Sequence, residues 1–131
     1  MKEITITTKV QITQDDFENI IVTALEGGSN YWYSLGEGIP PKDNKGTPLA
    51  VRIAERIFND SNYKLAIHDI EDEEGEPLGY LSQQSLLDAY GIISEKWPTH
   101  FHNMTSEDGD YDAETADVFF QVAVMGDIVF G

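Results

Sequence analysis

The chain has 131 residues, 24 of them Asp or Glu against eight Lys or Arg, and a formal net charge of −16 with a pI near 4.2. That balance speaks against direct contact with nucleic acid or anionic lipid, since both repel a polyanion. It contains no Cys, which excludes disulfides, a thiol nucleophile and Cys-based zinc sites, and no apolar run reaches the ~20 residues a membrane span needs.

Hydrophobic residues make up 40% and aromatic residues 11%, enough for one folded domain over residues 1–131. Ile4, Ile6, Val10 and Ile12 alternate with Thr5, Thr7, Lys9 and Gln11, which predicts a half-buried strand over residues 3–12. This start does not read as a basic segment followed by an apolar core. No signal peptide is expected, and the expected compartment is the cytoplasm.

Thr13 is a good N-cap with Asp16 three residues on, and Phe17, Ile20, Ile21, Ala24 and Leu25 follow at helical spacing. Gly27-Gly28 stops that helix. Ser29 to Thr47 reads as irregular, with the aromatic run Tyr31-Trp32-Tyr33 and then a polar loop. Thr47-Pro48 restarts a helix as N-cap and first helical residue, with Leu49, Ala50, Ile53, Ala54, Ile57 and Phe58 on its apolar face.

Tyr63, Leu65 and Ile67 alternate as a second strand, and Leu78 to Leu81 returns as a hairpin across an acidic turn. Ser82 caps a third helix with Leu86, Leu87, Tyr90 and Ile93 inward, bounded or kinked by Pro98. Asp112 caps a last helix carrying Ala116, Phe119, Phe120, Ala123 and Val124, which Gly126 ends. Ile128-Val129-Phe130 has the look of a terminal strand. The segregation of strand runs from helix pairs predicts an α+β fold: a small, mostly antiparallel sheet packed by about four helices in a single pair of layers. Phe17, Ile21, Ile53, Ile57, Leu86, Phe119 and Val122 are its expected core.

The charge is one-sided. Residues 66–131 hold fifteen acids and a single base, Lys96, so nearly all of the net charge lies in that half. Asp69, Glu71, Asp72, Glu73, Glu74 and Glu76 form one cluster. It is either a solvated hairpin tip or a contact surface for a basic partner. Glu107, Asp108 and Asp110 belong to a second cluster running to Asp117. Asp108, Asp110 and Asp112 have the alternate spacing of a calcium loop. The rest of that pattern fails, because Ala113 stands where the glycine is required and Phe119 where the bidentate Glu is required.

His100 and His102 flank Phe101. In a strand they would share a face; in a loop after Pro98 they are surface residues. No nucleophile elbow, phosphate loop or triad spacing is present, so the sequence assigns no reaction and no catalytic residue. It calls for no cofactor and no metal. The Gly27-Gly28 pair and the aromatics behind it either cap a helix with Trp32 in the core, or build a pocket for a planar ligand such as a nucleotide. In the pocket reading Tyr31, Trp32 and Tyr33 stack while Arg52 and Arg56 contact phosphate.

Two blocks carry a resemblance. Ala24-Leu25-Glu26-Gly27-Gly28 with Tyr31-Trp32, and later Asp112-Ala113, Ala116-Asp117, Gln121, Ala123, Gly126 and Val129-Phe130-Gly131, are similar to a family of small uncharacterised proteins encoded by phages and prophages. They cover about a quarter of the chain. The resemblance implies a phage or mobile-element origin and supplies no catalytic residues. Together with the charge it favours a non-enzymatic binder that inhibits a host or defence factor through its acidic C-terminal half, which engages a basic surface on that partner. A nucleotide-binding module or sponge is the alternative, and a metal-assisted hydrolase a third class.

Overall fold

The computed structural model describes residues 2–4, 6, 9–105 and 112–131. Within them the chain is α+β, with five α-helices and a three-stranded antiparallel sheet. Helix α1 is Gln14–Thr23, and it continues without a break into a π-helical turn, Ala24–Gly28. The Thr13 hydroxyl accepts the Asp16 N–H at 3.1 Å, the predicted cap. The two glycines therefore lie inside the helical run, and the π-turn closes where the Ser29 N–H reaches the Ala24 carbonyl at 2.9 Å.

Strand β1, Tyr33–Leu35, arises in the stretch expected to be irregular. Helix α2, Leu49–Asn59, buries Ala50, Ile53, Ala54 and Ile57; Pro48 takes the cap position expected of Thr47. Strands β2, Leu65–Asp69, and β3, Gly79–Leu81, form the predicted hairpin. Sheet order is β1-β2-β3, with Tyr33 opposite Asp69 and Leu65 opposite Leu81.

Helix α3, Gln83–Lys96, starts at a reciprocal capping box between Ser82 and Ser85 and runs through Gly91. Pro98 does not end the helical region. It opens a further helix, α4, Pro98–Thr105, where a missing N–H costs nothing. His100 and His102 are therefore helical. Two residues apart on a helix, they do not share a face as they would in a strand.

Helix α5, Ala113–Met125, is the centre of the molecule. Its N-cap Asp112 accepts the Thr115 N–H, and Gly126 closes it in the left-handed conformation at φ 79°. Every residue from Thr115 to Val124 is buried, as suits a helix packed on several sides by α1, α3, α4, the π-turn and β3. The seven expected core residues are all buried, Phe119 completely.

Neither expected terminal strand is seen among the described residues. Among the described residues of the N-terminal segment none is in a strand, and Ile4 and Ile6 are 88% and 79% exposed. Thr5, Thr7 and Thr8 lie outside the described residues. At the other end, residues 128–130 are not a strand either. Their backbone groups are met by a side chain: Gln121 Oε1 accepts the N–H groups of Val129 and Phe130, both at 2.8 Å, and Gln121 Nε2 donates to the Phe130 carbonyl at 3.2 Å. One amide satisfies a segment that would otherwise need a neighbouring strand.

Candidate functional site

Asp117 and Gln121 stand one turn apart on α5 and face the loop that follows the π-turn. The Asp117 carboxylate collects four donors. Oδ1 accepts from Ser29 Oγ at 2.7 Å and Trp32 Nε1 at 2.8 Å, and Oδ2 accepts from the Tyr31 hydroxyl at 2.5 Å and Gln121 Nε2 at 3.0 Å. A carboxylate has about four lone-pair sites, so this one is saturated. It is a poor general base and a poor metal ligand in this arrangement, and it acts as a clamp between two parts of the chain 85–88 residues apart.

The local fold makes that clamp possible. The π-turn brings Gly28 so close to α5 that a Cβ there would lie 2.5 Å from the Ala113 carbonyl oxygen, which backbone on both sides makes hard to relieve. The Trp32 N–H then bonds the Ser29 carbonyl, turning the aromatic run toward Asp117. Trp32 is 1% exposed; its ring stacks on Phe130 at 5.1 Å and 15° and meets Phe120 at 5.2 Å. The two blocks singled out in the sequence thus meet through Tyr31, Trp32, Asp117, Gln121 and Phe130, with Ser29 between the parts of the first adding a bond.

Beside the clamp lies an open groove of about 830 Å³, walled by Tyr31, Trp97, His100, Glu114, Asp117 and Phe130, among others. Tyr31 is half exposed. Its hydroxyl is pushed up to about 12, first because burial disfavours the phenolate and then because the Asp117 carboxylate holds its proton. His100 Nδ1 pairs with Thr115 Oγ1 at 2.9 Å.

Of the other aromatic-loop candidates, Tyr33 donates its hydroxyl to the Leu25 carbonyl at 2.5 Å, and burial raises its ionisation. Arg52 donates to the Thr47 carbonyl, and Arg56 pairs with Asp60 at 3.1 Å while lying over the Tyr63 ring. Neither arginine lines the groove, and Trp32 has no free ring face. The structure does not bring those five residues into one pocket.

The acidic hairpin tip is well defined. Glu71, Asp72, Glu73, Glu74 and Glu76 are exposed and Asp69 is half buried. The Ile70 N–H reaches the Trp32 carbonyl at 2.8 Å, Asp69 accepts the Glu71 N–H, and Ser34 Oγ donates to Glu73 at 3.0 Å. The tip is therefore fixed to the strand that leaves the aromatic loop. Glu107, Asp108 and Asp110 lie outside the described residues. Among the described residues no group of three His, Asp or Glu is placed to hold a metal ion, and no helix is long and apolar enough to cross a membrane.

Asp117 read in sequence as one more member of an acidic run. The signal that marks it is its context. Asp117 and Gln121 are the two strongly polar residues of an otherwise apolar stretch, at the i, i+4 spacing that places them on one face. Comparison with family models, with curated proteins and with solved structures returned no match.

Proposed function

We propose that this chain is a non-enzymatic acidic binding protein of phage or mobile-element type, which inhibits a host or defence factor by engaging a basic surface on it. The observation that carries this reading is the hairpin tip. Five exposed carboxylates, those of Glu71, Asp72, Glu73, Glu74 and Glu76, project from a turn held by backbone and side-chain hydrogen bonds. No Lys or Arg neutralises them within residues 66–95. Such an array gathers a basic partner by long-range attraction and fixes its approach, while like charge rejects nucleic acid. The saturated Asp117 supports a binding role over a hydrolytic one, because the most buried carboxylate among the described residues is committed to structure.

The test is affinity capture from a bacterial extract, with proteins identified by mass spectrometry. The wild-type chain is compared with a tip variant carrying Glu71→Gln, Asp72→Asn, Glu73→Gln and Glu74→Gln. The reading expects a partner of basic surface charge that is retained at low salt, lost at high salt and lost in the tip variant. A partner held equally by both chains would refute the tip as the contact.

A further inference from the structure

The groove beside the Asp117 clamp is lined by two acidic side chains, Glu114 and Asp117, and by aromatic rings. Glu114 presents an exposed carboxylate, whereas the Asp117 carboxylate is already filled by its four donors. The Tyr31 hydroxyl donates to Asp117, and the Gln121 amide nitrogen to Asp117, Tyr31 and Phe130. His100 Nδ1 is taken by Thr115. No Lys or Arg lines the groove. An anion at this end of α5 would meet Asp112 and Glu114, which already occupy the positive helix end.

The walls are aromatic, from Tyr31, Trp97 and Phe130. The Trp97 ring already carries a cation, since Lys96 Nζ lies 5.8 Å from its centroid. A planar cation that donates several hydrogen bonds and lies flat on rings suits such a groove better than a compact, strongly hydrated ammonium.

We propose that the groove receives an arginine side chain of the basic partner, with Glu114 accepting from the guanidinium and the rings of Tyr31, Trp97 and Phe130 flanking it. This rests on the reading of the chain as a binder of a basic surface, and it gives the groove the specificity while the tip supplies the attraction.

The experiment is an NMR titration of the isotope-labelled chain with N-acetylarginine amide, N-acetyllysine amide and N-acetylcitrulline amide. The arginine probe should give saturable shifts at the Trp97 indole N–H and the Gly27 and Gly28 amides. The lysine probe should bind several-fold more weakly, and the neutral citrulline probe should give no saturable shift. Glu114→Gln should weaken the arginine probe roughly tenfold, since a charge-assisted bond becomes a neutral one. Any of four results would overturn the proposal: no saturation with arginine, an equal response to citrulline, an unchanged response in Glu114→Gln, or shifts confined to residues 69–76. The tip variant separates the two readings. It should lose partner association while still titrating with the arginine probe. If it keeps both, the tip reading fails and the groove stands.

Discussion

Replacing Asp117 with Asn tests the clamp that organises the site. The amide oxygen can keep the bonds from Ser29 Oγ and Trp32 Nε1, but its nitrogen then faces the Tyr31 hydroxyl and Gln121 Nε2. Gln121 cannot turn over to help, because its oxygen holds the Val129 and Phe130 N–H groups. The Tyr31 hydroxyl can rotate and accept, and Gln121 Nε2 keeps the Tyr31 oxygen and the Phe130 carbonyl, both at 3.2 Å, as acceptors. Losing the Gln121 bond to the carboxylate costs about 0.5–1.5 kcal/mol, and demoting the two charge-assisted bonds from Ser29 and Trp32 to neutral ones costs about 1 kcal/mol each. Removing a buried charge returns part of this. The net is roughly 2–3 kcal/mol, against a total stability of about 5–15 kcal/mol for a domain. For this size that lowers the melting temperature by roughly 8–15 °C. Urea unfolding at constant slope reads it directly. Tyr31→Phe, which removes one half-exposed donor, should cost only about 0.5–1.5 kcal/mol. The ionisation of Tyr31 in Asp117→Asn should also fall back toward the ordinary value, as two of its causes depend on Asp117. An Asn variant as stable as the wild type would mean that the buried charge costs as much as its four donors return, and the clamp would not be what holds the loop.

Phe119 is fully buried, so Phe119→Ala should cost about 3–5 kcal/mol by denaturant unfolding. The adjacent glycines should behave oppositely: a Cβ at Gly28 meets the Ala113 carbonyl and should cost about 1–3 kcal/mol, whereas nothing lies within 4 Å of one at Gly27, where Ala should be neutral or slightly stabilising in the same assay. Stability should fall at alkaline pH. The unfolded chain ionises Tyr31 near 10 while the folded chain keeps the proton to about 12, so the folded state binds more protons in that window and loses stability as pH rises through it. Tyr33 and Tyr63, also raised by burial, add to the loss, and tyrosinate absorbance against pH follows it.

Helices α1, α2, α3 and α5 are legible because their apolar residues recur at helical spacing and three of the four start at side-chain caps, Thr13, Ser82 and Asp112. The hairpin is legible from its alternation and its acidic turn. Alternation gives a face but no partner. The middle strand β2 has β1 on one side and β3 on the other, and the Ile4 and Ile6 pattern is left without a ladder. The Val129-Phe130 pattern misleads for a different reason: its backbone is satisfied by Gln121. Pro98 reads as a boundary in sequence, yet at a first helical position it opens α4 and brings His100 to the groove. In the site, Trp32 declares itself as an anchor. Its partner Asp117 is 85 residues away, a distance that no local pattern bridges.

A fixed acidic tip that gathers a basic partner acts first on the rate of association. The most direct measurement is the association rate constant with the captured partner, by stopped flow across a range of salt, for wild type and for the tip variant. Exposed charges are screened beyond ~8 Å at physiological ionic strength. The account predicts a wild-type rate that falls steeply with salt, a tip variant that is slow and nearly salt-independent, and dissociation rates that differ little. Association rates that are equal in the two chains and flat with salt would contradict it.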